Sequence, residues 1–83
     1  MSTNERELEK LEIQRIMSTE GGRAFMFRIL TQAGTYDTTF DSDPYIHARN
    51  SGRRENGLWL DNELREATHP NYLRMLKENT DDE

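Results

Sequence analysis

Cysteine is absent from this sequence of 83 residues, and proline occurs only twice. No disulfide and no thiolate metal site can therefore form. No apolar run approaches the roughly 20 residues that a membrane-spanning helix needs, and the polar opening MSTNERELEK is not typical of a signal peptide. Apolar residues make up 33% of the chain, as do charged ones. We therefore expect one small domain with a thin core, for which support from a partner or from self-association is plausible.

The net charge of −5 argues against direct binding of nucleic acid by the whole protein. A helix-turn-helix motif also fits poorly. That motif has a turn of about three or four residues between its helices, whereas the predicted loop here spans 35–43.

Two helices are predicted in the N-terminal half. Residues 4–17 form the first, with Asn4 as a candidate N-cap and acidic residues in the first turn. Residues 18–34 form the second, between an N-cap at Thr19 and a stop at Gly34. At about 100° per residue, one face of this second helix collects Phe25, Met26, Ile29, Leu30 and Ala33. We therefore expect the second helix at the centre of the core and the segment 1–17 to be more loosely docked.

Two further helices are predicted after the loop. Asp43 followed by Pro44 is a typical N-cap and first-turn pair, and the third helix would run from there to about Ala67. Pro70 would open a short fourth helix over 69–79. The predicted fold is all-α, a small bundle of three main helices plus a short C-terminal helix. Helices two and three form its hairpin, residues 18–79 its domain and 80–83 an acidic tail.

Two glycines, Gly52 and Gly57, lie inside the third helix, in the stretch HARNSGRRENGLWL. Each costs roughly 1 kcal/mol relative to alanine. Close packing against a large group would offset that cost. We expect an aromatic ring to cover both glycines, and the candidates are Phe25, Tyr36 and Phe40.

Three arginines, Arg49, Arg53 and Arg54, cluster in the same stretch, near Trp59. One interpretation is a salt-bridge network with Asp37, Asp41 or the first helix. The other is an interface, because arginine and tryptophan are enriched in binding hot spots. Both interpretations remain open at this stage.

Metal and catalytic sites are not indicated. Asp37, Asp41 and Asp43 alternate as calcium ligands do, but the glycine turn and the closing glutamate of an EF-hand are missing. His47 and His69 are far apart and have no cysteine partner. No nucleophile motif or phosphate-binding loop is present. The sequence thus predicts no metal, no cofactor and no enzymatic activity.

A set of short motifs extends over about residues 19–77. The motifs are Gly22-Arg23, Gly34-Thr35-Tyr36, Phe40-Asp41, Gly52-Arg53-Arg54, Gly57-Leu58 and Tyr72-Leu73. Together they resemble the Bbp19-like family of small bacteriophage proteins, with Phe27 where tryptophan is common in the family and Ser51 where glutamate is common.

The resemblance implies a protein encoded among the head and portal genes of tailed phages, with no enzymatic activity. The expected function is a virion-associated or assembly-related interaction protein, located in the infected host cytoplasm or in the virion. Its partner would be a phage structural protein or a host protein, and it could also form a homo-oligomer. The alternative is a phage regulator that binds and inhibits a host protein.

Overall fold

Three helices form the part of the chain that the structure, a computed structural model, describes, which is residues 2–36 and 43–80. They are α1 (Thr3–Ile16), α2 (Glu20–Gln32) and α3 (Pro44–Asn79). The described ranges contain no strand, so the prediction of an all-α protein is confirmed.

Side-chain caps fix where the helices begin. Asp43 caps α3 by accepting a hydrogen bond from the backbone N–H of Tyr45, and Thr19 caps α2, as predicted. The cap of α1 is Ser2 rather than Asn4. Ser2 and Glu5 form a capping box, in which each side chain accepts from the other residue's backbone N–H, so two otherwise unpaired donors are satisfied together.

The predicted third and fourth helices form one element, α3, with a kink close to the predicted boundary between them, so the described residues form three helices instead of three and a separate short fourth. Helix α3 is interrupted by a kink at Thr68, whose φ of −159° and ψ of 70° are not helical. Pro70 explains the kink, because it has no N–H to donate and its ring would clash with the carbonyl one turn earlier. The helix resumes directly and ends at Asn79.

The core is small and lies where α1 and α2 meet the C-terminal half of α3. Its fully buried side chains are those of Met17, Leu30, Leu64, Tyr72 and Met75. The Cα atoms span 42 × 40 × 16 Å. The short dimension is little more than one helix diameter, about 10–12 Å. Because the helices form a single layer, few side chains can be covered from all sides.

The apolar stripe predicted for α2 is correct at its centre and wrong at one edge. Leu30 is buried and Met26 packs on the core, whereas Phe25 is 58% exposed. Phe27, which lies off the predicted stripe, turns inward and stacks on Tyr36 with ring centroids 6.0 Å apart. Since α2 packs mainly against α3 on one side, the Phe25 edge of the stripe faces outward.

Gly34 and Gly57 bring the end of α2 against α3. Gly34 has a φ of 72°, the left-handed conformation that ends a helix. The chain then places Thr35 over Gly57, which is buried. A Cβ atom at Gly57 would lie 2.1 Å from Thr35 Oγ1 and 2.9 Å from the Cβ of Ala33. The predicted close packing at Gly57 is therefore confirmed, but threonine and alanine supply it instead of an aromatic ring.

Gly52, unlike Gly57, is not closely packed, because no atom of the described residues lies within 4 Å of the position that a Cβ would take there. Of the aromatic rings expected over it, Phe25 is exposed on α2 and Tyr36 binds Asp61 and Tyr72 through its hydroxyl. Phe40 lies outside the described residues. Within the described ranges, the two glycines of α3 thus occupy opposite environments.

The buried side chain of Arg23, on α2, contacts the C-terminal ends of both α1 and α3. Its side chain donates two hydrogen bonds to the carboxylate of Glu78, from Nε at 2.8 Å and from Nη2 at 2.9 Å. Nη1 donates to the carbonyl oxygen of Met17 at 3.1 Å. The guanidinium lowers the pKa of the Glu78 carboxyl. The end of α1, the first turns of α2 and the last turn of α3 therefore meet at one charged group.

We predict opposite effects for alanine at the two glycines of α3. Gly57→Ala should destabilise the fold, because overpacking costs about 1–3 kcal/mol and exceeds the gain in helix propensity of about 1 kcal/mol. Gly52→Ala should raise the free energy of unfolding by up to about 1 kcal/mol, since its Cβ would meet no atom of the described residues. Urea unfolding at a protein concentration at which the chain is monomeric measures both; a stabilised Gly57→Ala variant would contradict the packing.

We predict that Glu78→Gln lowers stability at neutral pH and that its deficit shrinks in acid. The pKa of Glu78 is lower in the folded chain than its ordinary value of 4.5. Its contribution is therefore present above about pH 4.5 and is lost as the pH falls through the folded pKa. Glu7→Gln, on an exposed glutamate of α1, is the matched control. Thermal unfolding across the acid range should show a pH-dependent difference for Glu78→Gln alone.

Candidate functional site

Two exposed aromatic rings mark the outer side of the N-terminal half of α3. Tyr45 is 76% exposed and Trp59 is 61% exposed. Gly52 lies halfway between them, seven residues from each, so all three lie on one side of the helix about two turns apart. We call this surface, together with the exposed Ala48 and Asn56, the Tyr45–Trp59 face.

The helix beneath this face has little internal support. The buried residues of α3 begin only at Gly57, so the segment from Pro44 to Asn56 contains none. An isolated helix of that length is marginal in water, and Gly52 weakens it further. We call residues 44–56 the N-terminal arm of α3.

The arginine cluster lies along the N-terminal arm. Arg49 and Arg53 are exposed, and neither forms a salt bridge within residues 2–36 and 43–80. Arg54 is half-buried, and its Nε has no hydrogen-bond partner in the same ranges. The pairing with Asp37 or Asp41 considered from the sequence lies outside the described residues. Arg49 and Arg53 therefore present positive charge beside the aromatic rings.

The first helix does not pair with these arginines, because its ion pairs lie further along α3. Arg6 binds Glu63 at 2.5 Å and Glu66 at 2.8 Å, and Lys10 approaches Glu66 at 3.9 Å. Gln14 donates to the carbonyl oxygen of Ala67. Glu66 lies seven residues beyond Trp59, on the same side of α3. Helix α1 thus covers the C-terminal continuation of the Tyr45–Trp59 face and leaves the face itself open.

A second cluster of polar side chains, centred on the buried Asp61 and Tyr72, lies on the other side of α3. Asp61 is 7% exposed and accepts hydrogen bonds from the hydroxyls of Tyr72 at 2.5 Å and Tyr36 at 3.1 Å. Its second oxygen accepts from Nε of Arg65 at 2.8 Å. The guanidinium of Arg65 also lies 4.4 Å from the centroid of the Tyr72 ring. Both carboxylate oxygens of Asp61 therefore have donors.

This cluster keeps its phenols protonated. Burial and the neighbouring carboxylate raise the pKa of Tyr72, and burial also raises the pKa of Tyr36. A phenol bound to a carboxylate is a poor acid, because losing the proton would bring two negative charges together. Beside the cluster lies an open apolar cavity of about 540 Å³, lined by Phe27, Thr31, Tyr36, Arg65, Tyr72, Leu76 and Thr80. The arrangement stabilises the junction of α2 with α3.

We predict that Tyr72→Phe lowers the free energy of unfolding by about 1–3 kcal/mol, because the buried Asp61 carboxylate loses a donor. The pKa of Tyr72 is raised above its ordinary value of 10.0 in the folded chain, so its contribution is complete below about pH 10 and is lost as the pH rises through the folded pKa. Unfolding curves from neutral to alkaline pH measure both effects. Tyr45→Phe, on an exposed ring, is the control and should leave stability unchanged.

The sequence-predicted residues separate into two groups in the structure. Gly34, Asp43 and Gly57 shape the fold, whereas Arg49, Arg53, Gly52 and Trp59 lie together on or beside the open face. Asp41 lies outside the described residues. Tyr45 was not singled out from the sequence, although its spacing of seven from Gly52 and fourteen from Trp59 is a signal.

The buried Asp61 cluster was also missed. Only the i,i+4 spacing of Asp61 and Arg65 hinted at it. Within the described ranges, no group of three or more histidine, aspartate or glutamate side chains is arranged to hold a metal ion.

Fold and surface together define a class, a small all-α protein whose longest helix presents an uncovered aromatic and basic face. The family model described as Bbp19-like phage protein matches residues 13–78, which is well over half of the chain. The protein therefore belongs to the Bbp19-like family and is a bacteriophage protein. Comparison with curated proteins and with solved structures gave no match. No helix in the described ranges is both long enough and apolar enough to cross a bilayer.

Proposed function

We propose that this phage protein is a non-enzymatic interaction protein of a tailed phage that acts in the virion or in its assembly. One observation carries the proposal, the open Tyr45–Trp59 face with Arg49 and Arg53 beside it. Tyrosine, tryptophan and arginine are the side chains most enriched in binding hot spots, because each combines a large contact area with a polar group. The proposed location is the infected host cytoplasm, the virion or both.

The chemistry of the remaining polar groups supports a binding role over catalysis. Enzymes keep acids, bases and nucleophiles available in a cleft. Here the most buried carboxylate, that of Asp61, is saturated by Tyr36, Tyr72 and Arg65. The buried Arg23 is likewise committed to Glu78. These groups stabilise the packing of the helices, whereas Tyr45 and Trp59 are exposed on α3.

A phage that encodes the double variant Tyr45→Ser, Trp59→Ser tests the proposal. Mass spectrometry of purified wild-type virions and of assembly intermediates should find the protein. The variant protein should be depleted from them, and the yield of infectious particles should fall, because the binding surface has lost both rings. Since both rings are exposed, the fold should persist, which circular dichroism checks.

Leu8→Ser, Leu11→Ser is the matched control. These two side chains are 58% and 59% exposed on α1, so the change removes similar apolar surface elsewhere on the molecule. The control phage should match wild type. Absence of the protein from particles and intermediates, together with an unchanged particle yield, would contradict the proposal. Loss of a bound host protein in the face variant would instead support the alternative, a regulator that inhibits a host target.

A further inference from the structure

The Tyr45–Trp59 face is symmetric in its sequence positions about Gly52. Tyr45 precedes Gly52 by seven residues and Trp59 follows it by seven. Both rings are exposed, and no atom of residues 2–36 and 43–80 lies within 4 Å of the position of a Cβ at Gly52. Large rings thus flank a point at which the helix backbone is bare. Because side-chain size sets how closely two helix axes approach, another helix can cross this face most closely at Gly52.

We propose that the Tyr45–Trp59 face binds a second copy of this chain through an antiparallel crossing of the two α3 helices at Gly52. A two-fold axis beside Gly52 brings Tyr45 of each copy against Trp59 of the other. Such an isologous interface uses the same patch on both copies. Aromatic pairs of this kind contribute beyond the area they bury.

Charge selects the antiparallel direction. Arg49 lies three residues before Gly52 and Glu55 three residues after it. Both are exposed, and neither forms a salt bridge within the described ranges. The antiparallel crossing places Arg49 of one copy at the level of Glu55 of the other, twice in each dimer. A parallel crossing would instead place Arg49 beside Arg49 and Glu55 beside Glu55 of the two copies, and these like charges repel each other.

The same charges favour a second copy over an acidic foreign helix. An acidic helix would suit Arg49 and Arg53 but would meet a like charge at Glu55, whereas self-pairing provides an opposite charge for both Arg49 and Glu55. The N-terminal arm contains no buried residue in the monomer, and a second α3 would cover it. Helix α1 already covers the next part of the same side of α3 through Glu63 and Glu66. The second copy would extend that layer.

The purified full-length chain tests the proposal in two measurements across a range of concentrations. Sedimentation or light scattering should show a monomer–dimer equilibrium. Trp59 is the only tryptophan in the chain, so its fluorescence reports the face directly. Its emission should shift to shorter wavelength as concentration rises and the ring leaves water.

Charge reversal tests the pairing itself. Arg49→Glu and Glu55→Arg should each raise the dimer dissociation constant by about tenfold or more, because each removes two ion pairs per dimer and adds repulsion. The double variant should return the dissociation constant close to that of wild type. Arg28→Glu, on an exposed arginine of α2 without a salt bridge in the described ranges, is the control and should change nothing.

Four results would each overturn the proposal. One is a wild-type chain that remains monomeric up to about 1 mM, a concentration at which even weak association is visible. Another is a dimer that neither single reversal weakens, or in which Trp59 emission stays that of an exposed ring. The last is a double reversal that fails to restore the dimer although circular dichroism shows it folded. None of these results depends on whether virions contain the protein, so the proposed function is tested separately.

Discussion

The buried guanidinium of Arg23 joins all three helices at one point. It binds Glu78 near the end of α3 with two nearly parallel hydrogen bonds, and it binds the Met17 carbonyl at the end of α1. A charge taken out of water is expensive unless it is fully paired. Gly22 allows the start of α2 to lie against the end of α1 beside this pairing, since a Cβ there would lie 1.8 Å from the carbonyl oxygen of Ile16. The small core depends on this joint, because few fully buried side chains hold the helices otherwise.

Local features of the fold could be read from the sequence. Asp43 and Thr19 as caps, and Gly34 as the stop of α2, depend only on neighbouring residues, and each is confirmed. The kink near Pro70 was also expected, although as a break between two helices. The N-cap of α1 at Ser2 was missed because Asn4, which lies close by, is also a favourable cap residue. Such errors shift the end of a helix and leave its contacts unchanged.

Long-range features could not be read in the same way. Arg23 reads as an ordinary surface charge until Glu78, 55 residues later, comes within hydrogen-bond distance. Gly52 and Gly57 both lower helix propensity by the same amount, and only the packing of Thr35 on Gly57 in the folded chain distinguishes them. Phe25 and Phe27 exchange their expected roles because the direction from which α3 approaches α2 decides which ring is covered. The candidate face was therefore indicated by its arginines and Trp59, but Tyr45 and the openness of Gly52 required the structure.

Local stability differs between the two ends of α3. The C-terminal half of α3 is held by Arg23, by the Asp61 cluster and by the core, whereas the N-terminal arm contains no buried residue. Backbone amides exchange their hydrogens with solvent through local opening, and the free energy of opening follows local burial. Within α3, slow exchange should therefore begin near Gly57 and fade toward Pro44, although the hydrogen-bonded geometry is the same on both sides. The longer, buried part of α3 thus behaves as a scaffold, and in the proposed dimer the N-terminal arm would acquire its rigidity from the second copy.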